Sequence, residues 1–315
     1  MDREALLLHA RQSIARGSKS FAAASRLFDR QTRERVWLLY AWCRACDDLA
    51  DAQDHGGELG DQSGADERLA TIRRLTDAAF AGEPTGSPAF DALGLLARET
   101  GINRAMADDV IAGFALDAEG WRPESEADML RYCYHVAGAV GVMMAAVMGV
   151  APHDEDTLAR ACDLGIAFQL ANIARDIAED HAAGRCYLPG DWLAEAGIAR
   201  EALMERQYRA PLARIVQRLC ALEARYTASA RVGAARLAFR QRWAVLSAAG
   251  IYGAIARQAE RRGEAALTRR ITISSAAKLG HVARALAQSL LPAREAERPA
   301  LPSRRELAAF ATERG

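Results

Sequence analysis

Neither sign of charge is in excess: Lys plus Arg and Asp plus Glu both number 41 among 315 residues, leaving a formal net charge of zero. A nucleic-acid-binding protein normally carries a basic surplus, so no nucleic-acid partner is expected. Runs of β-branched residues are almost absent, which argues against a sheet protein. Also missing are a Walker-type phosphate loop, a GxGxxG fingerprint and a Ser-His-Asp arrangement, so the common competing catalytic sites drop out. No secretory leader is legible, because Arg11, Arg16 and Lys19 break the apolar run of MDREALLLHARQSIARGSKSF. The cysteines Cys43, Cys46, Cys133, Cys162, Cys186 and Cys220 then read as free thiols in a reducing cytoplasm. Cys43 and Cys46 form a CxxC that would suit zinc or redox chemistry. A single pair inside a helical pattern reads instead as two half-buried thiols.

What the chain does have is helix-forming material: Ala, Leu, Arg and Glu dominate, and 50 % hydrophobic content is ample for a sizeable core. Helices are expected at 32–51, up to about Ala81, and at 103–117, 126–149, 155–181, 198–231, 241–263 and 273–290. Residues 52–66 are glycine-rich and read as an exposed loop, and GEPTGSP at 82–88 reads as punctuation. We expect one all-α domain over 1–292, followed by a charged, proline-punctuated and loose tail over 293–315. From Tyr132 to Pro152 the only group ionising near neutrality is His135, and the length approaches a bilayer span. The run is rich in Gly and Ala and has no aromatic belt at its far end, so it reads as a buried core helix. Any membrane contact would then be peripheral.

Two helices carry polar stripes. Tyr40, Arg44, Asp47 and Asp51 are spaced 4, 3 and 4 apart. At ~100° per residue they fall within an arc of about 60°. Asp48 lies beside them. Two carboxylates one turn apart repel unless a cation sits between them, and the neighbouring Trp37, Leu38, Leu39 and Trp42 imply burial, where unpaired carboxylates are costly. Gln169, Asn172, Asp176 and Asp180 repeat the pattern at spacings of 3, 4 and 4. Their arc is about 80°, on a helix otherwise apolar. Asn and Asp supply hard oxygen ligands, which suit Mg²⁺ rather than zinc. Arg175 flanks this stripe and Arg185 follows it. Two such stripes facing one another across a cavity would bind a diphosphate through more than one metal ion.

Four blocks now give the chain a resemblance to the squalene/phytoene synthase family over nearly its whole length. GSKSF at 17–21 resembles the family's Ser-Lys-Ser segment, and YAWCRACDDLAD at 40–51 its first aspartate-rich motif. YCYHVAGAVG at 132–141 and LGIAFQLANIARDIAEDHAAGRCYLP at 164–189 resemble its two longest signatures, and no acidic position is missing. The resemblance implies the all-α isoprenoid synthase fold, with helices around a central apolar cavity. It implies metal ligation by Asp47, Asp51, Asn172, Asp176 and Asp180, with Mg²⁺ or Mn²⁺ as the metal and no NADPH. It implies substrate contacts from Ser18, Lys19, Ser20, Tyr40, Arg44, Gln169, Arg175, Tyr252 and Arg269, with Lys278 as a further basic candidate. The glycines of the 132–152 run would leave room for a long prenyl chain.

The wording YAWCRACDD is nearer to bacterial members that use the C20 substrate than to those using the C15 one. The resemblance therefore implies head-to-head condensation of two geranylgeranyl diphosphates in carotenoid biosynthesis, with other carotenoid enzymes as partners. Tyr40 and Tyr252 would either stabilise cations or simply pack. Two alternatives stay open: a squalene or dehydrosqualene synthase using farnesyl diphosphate, and a catalytically silent helical assembly protein.

Overall fold

The computed structural model describes residues 1–53, 60, 64–292 and 295–309, and the side chains of Lys19 and Ser20 lie outside that description. The described residues are helical and contain no strand. In chain order the helices are α1 (Arg3–Gly17), α2 (Lys19–Ser25), α3 (Arg30–Ala50), α4 (Ala65–Ala81), α5 (Pro88–Glu99), α6 (Arg104–Ala118) and α7 (Glu126–Cys133). They continue as α8 (Ala139–Val147), α9 (Glu155–Ala182), α10 (Gly190–Glu195), α11 (Arg209–Ala234), α12 (Phe239–Arg262), α13 (Ser275–Leu290) and α14 (Arg304–Ala308). A π-helical turn, Tyr134–Gly138, joins α7 to α8. Two compact units interleave along the chain: Met1–Glu119 with Val142–Leu158, and Gly120–Gly141 with Ala159–Gly315.

In the first unit, α1, α3 and α5 pack on one another through Leu6, Ala10, Ile14, Leu39, Trp42 and Leu93. Gly94 lets α5 approach α4, since a Cβ there would lie 2.5 Å from the Ala79 carbonyl oxygen. Ion pairs tie the three helices at their edge. Arg3 meets Glu34 at 2.8 Å and Glu99 at 2.9 Å, and Arg35 meets Glu99 at 3.1 Å.

In the second unit, α12 packs against α11 and α13, while α14 sits on α7 and the π turn. The π turn itself is pressed against α9. A Cβ on Gly165 would lie 2.1 Å from the Ala137 carbonyl oxygen, and one on Gly141 would lie 2.4 Å from that of Ala161. Gly141, expected with the other glycines of the 132–152 run to leave room for a prenyl chain, is therefore taken up by backbone contact. The run Glu126–Val147 is long and apolar enough to cross a membrane, yet 67 % of its most apolar window is buried inside the protein, as in a core helix.

Two further expectations change. The segment expected as one helix over 198–231 is two 3₁₀ turns, Arg200–Ala202 and Arg206–Tyr208, before α11 starts at Arg209. Pro211 lacks an N–H and is tolerated only in a first helical turn, so the helix must restart there. Nor is 295–309 loose. Arg298 donates to the fully buried Asp163 at 2.7 and 2.9 Å, Ser229 donates to the same carboxylate at 2.6 Å, and Arg160 donates to the Ala296 carbonyl at 2.6 Å. A carboxylate buried that deeply needs its partners, and Leu307 of α14 is buried as well.

Candidate active site

The first stripe stands on α3. Its start is set by Asp29, whose carboxylate accepts from the Thr32 N–H at 2.9 Å. One face of α3 buries Val36, Leu39, Trp42 and Cys46, and this leaves Tyr40, Arg44, Asp47 and Asp48 half-buried. Arg44 donates to Asp47 at 2.5 Å and lies 3.8 Å from Asp48. Burial alone would pull its guanidinium down, but Tyr40, Asp47 and Asp48 outweigh that and hold it above its ordinary value. Asp51 caps the helix end. The next residue, Ala52, takes a left-handed φ of 51°, unusual for a non-glycine, and turns the chain sharply.

Gly17 closes the stripe from α1: a Cβ there would lie 2.3 Å from the Tyr40 hydroxyl. Ser18 spends its side chain on structure, accepting from the Phe21 N–H at 3.2 Å to cap α2. The predicted contacts of Lys19 and Ser20 fall on side chains outside the described residues. Among the described residues the Tyr40 hydroxyl and Arg44 Nε are buried and meet no partner in hydrogen-bond geometry. Buried polar atoms in that state fit an anionic ligand. Burial and the Asp47 carboxylate push the Cys43 thiol up to about 12, and Cys46 is raised too, so both stay protonated at neutral pH.

The second stripe runs along α9. Asn172 donates through Nδ2 to Gln169 Oε1 at 3.4 Å, which fixes the amide and leaves Asn172 Oδ1 buried without a donor. Asp176 is gripped by Arg175 through both carboxylate oxygens and by Arg270 at 3.3 Å. Arg270 also lies 3.8 Å from Glu179. Burial lowers the Arg175 guanidinium, and Asp176 more than restores it. Tyr252 reaches this helix from α12, stacking on Phe168 at 4.0 Å between ring centroids. Burial pushes its hydroxyl up despite nearby Arg175, so it is protonated at neutral pH. Asp180 is half-buried one turn further along.

Sequence reasoning named Arg269 as a basic contact and missed Arg270, equally exposed, which meets Asp176 at 3.3 Å. It also missed an aromatic stack. Tyr132 lies between Trp121 at 5.7 Å and Tyr187 at 4.7 Å. The signal was present, since Tyr132 and Tyr187 sit inside the two longest quoted blocks, but stacking between separate segments is invisible in a linear pattern. A surface hollow of about 540 Å³, lined by Arg74, Asp77, Glu83 and Thr85, holds none of these residues.

Among the described residues no three His, Cys, Asp or Glu side chains form a ready metal cage. The donors present nevertheless fit a divalent cation. They are hard oxygens, and the buried Asn172 oxygen has no partner among the described residues. Such a cation would complete its shell with water and substrate phosphate oxygens.

Comparison with protein families matches residues 14–277 to squalene/phytoene synthase. The chain belongs to that family. It is 47 % identical over 281 residues to a phytoene synthase of Pseudescherichia vulneris, covering 89 % of this chain and 90 % of that one. It is 43 % identical over 301 residues to a 15-cis-phytoene synthase of Pantoea ananas, covering 95 % and 97 %. A solved dehydrosqualene synthase in complex with ligand superposes with a TM-score of 0.80 at 26 % identity, covering 91 % of this chain and 97 % of that one. As a squalene/phytoene synthase family member, the chain is a prenyltransferase-type enzyme of the isoprenoid synthase fold, a class that acts on prenyl diphosphates with a divalent metal.

Proposed function

We propose that the enzyme is a phytoene synthase, condensing two geranylgeranyl diphosphates head-to-head through prephytoene diphosphate with release of diphosphate. The identity of 43 to 47 % to bacterial phytoene synthases over nearly the whole chain supports this reading. Asp47, Asp51, Asn172, Asp176 and Asp180 would hold Mg²⁺, with Mn²⁺ able to substitute. When bound, the metal supplies charge neutralisation to the diphosphate.

The chain's own groups do the rest. Arg44 and Arg175, with Arg270 beside Asp176, compensate charge on the departing diphosphate, which is what an allylic ionisation needs most. Ser18, Lys19, Ser20, Gln169 and Arg269 complete the substrate contacts. The second substrate's double bond attacks the allylic cation, and proton loss with ring closure gives the cyclopropylcarbinyl diphosphate. A second ionisation, rearrangement and deprotonation give the hydrocarbon. Tyr40 and the protonated Tyr252 present aromatic faces, which favour positive charge, and a dry site keeps water from capturing the cation. The working domain spans 1–292 with 293–315 appended. The enzyme works in the cytoplasm at the membrane periphery, beside other carotenoid enzymes, because its substrate and product are greasy.

Diphosphate release by the purified protein tests this. Release is expected to require added Mg²⁺, to stop in EDTA and to be faster with the C20 substrate. Release insensitive to EDTA would remove the metal reading. Preference for the C15 substrate would move the enzyme to the dehydrosqualene type, and no release from either would favour a silent assembly protein.

A further inference from the structure

Helix α13 buries little of itself. Ala285 and Ser289 are its buried residues, and α12 holds it through Trp243, which donates to the Val282 carbonyl at 2.9 Å, and Arg242, which donates to those of Gln288 and Leu291 at 3.0 Å. Its opposite side carries Ala276, Leu279, Gly280, Ala283, Ala287 and Leu290, all exposed. At helical spacing these fall within an arc of about 100°. Leu279 is 69 % exposed, Leu290 71 % and the following Leu291 61 %. No charged side chain interrupts the row.

Arg284 borders this row, while Lys278 and His281 fall on the side of α13 that holds Ala285 and Ser289, with His281 against Gly250 of α12, and α13 carries no acidic residue. Residues 239–292 contain nine Lys or Arg against Glu260 and Glu264, in a chain whose net charge is zero. Positive charge is crowded here. Burial and the neighbouring Arg257 and Arg284 hold the Arg231 guanidinium below its ordinary value, and burial with the same arginines lowers His281. An apolar row bordered by Arg284, in a segment with this positive excess, is complementary to an anionic lipid surface. A second copy of the chain is a poorer occupant, because an isologous contact would set the basic flank against itself with no acidic residue on α13 to pair it. The chain's own C-terminal helix is already committed, to α7 and the π turn.

We propose that the outward face of α13 docks on an anionic phospholipid bilayer, with Leu279, Leu290 and Leu291 entering the interface and Arg284 meeting headgroup phosphate. This deepens the peripheral location proposed above and rests on it.

Flotation of the full chain with vesicles tests the surface, using phosphatidylcholine alone and mixed with phosphatidylglycerol at low and high salt. The wild type is expected to float with the anionic vesicles and to release as salt rises. The double variant L279S/L290S should lose at least about tenfold in partitioning, and Arg284→Gln about fivefold. Leu8→Ser, at a leucine 58 % exposed on α1, should change nothing. Thermal melts of all variants should match the wild type, since none of these side chains is buried. If the wild type floats and both α13 variants float equally well, the surface is wrong while the peripheral location stands. If the wild type does not float, the peripheral location and the surface both fall. A dimer that L279S/L290S abolishes, without vesicle binding, would make a second copy the occupant.

Discussion

The acidic stripes of the two units are written alike and held differently. On α3, Asp47 meets Arg44 and its side chain remains 41 % exposed. On α9, Asp176 is only 17 % exposed and is clamped by Arg175 and Arg270. A carboxylate drawn further from water needs compensation whether or not metal is present. Arg175 and Arg270 therefore serve the fold as well as the chemistry, while α3 carries its stripe nearer to solvent. One spacing rule thus conceals two energetic situations.

The aspartates separate the two most sharply. Asp47→Ala and Asp176→Ala should each cut turnover by at least about a hundredfold. Asp47→Ala should leave the thermal midpoint nearly unchanged, because an exposed pair contributes about 0–1 kcal/mol. Asp176→Ala strands two arginines and should lose about 1–3 kcal/mol in denaturant titration. Equal midpoints would erase the distinction.

Glycines sharpen it from the other side. Gly165→Ala forces a methyl onto the Ala137 backbone 2.1 Å away and should destabilise by about 1–3 kcal/mol. Gly17→Ala meets the ends of two side chains, the Tyr40 hydroxyl and Arg44 Nε, which can shift, so it should melt normally and lose activity. A smaller effect is expected of Arg270→Gln, which should raise KM about tenfold, about one charge-assisted contact, where Arg269→Gln raises it by less. Equal effects would give the two arginines the same weight.

The buried carboxylates of the units also answer pH in opposite senses. In the first unit burial would raise Glu34 and Glu99, but their arginines outweigh it and hold both below the ordinary value. Their contribution is present above the usual carboxylate range and is lost as pH falls through the depressed folded values. In the second, burial raises Glu223 despite a 2.5 Å hydrogen bond from Thr227. That contribution is full below the ordinary glutamate value and is lost as pH rises through the raised one. Glu223→Gln should flatten the loss on the rising side, and Glu99→Gln the loss on the falling side, both read from midpoints across pH.

Much of this was legible in the chain. Both stripes follow from residues three and four apart, and α3, α4, α6, α9, α12 and α13 lie close to where periodicity puts them. Errors came where one residue has two meanings. Pro88 reads as punctuation but opens α5, and Pro211 was overlooked inside an apolar pattern although it forbids a continuous helix. Gly141 reads as room and is a backbone contact, because a missing Cβ looks the same in sequence either way. The pairing of Arg298 with Asp163, 135 residues apart, and of Arg270 with Asp176 belongs to packing that no local pattern encodes.

The product itself tests the central claim most directly. Purified enzyme given geranylgeranyl diphosphate and Mg²⁺ without NADPH should yield one organic-soluble C40 hydrocarbon with a central conjugated triene, and no such product from farnesyl diphosphate. A C20 alcohol or cyclised C20 hydrocarbon in its place would contradict head-to-head condensation.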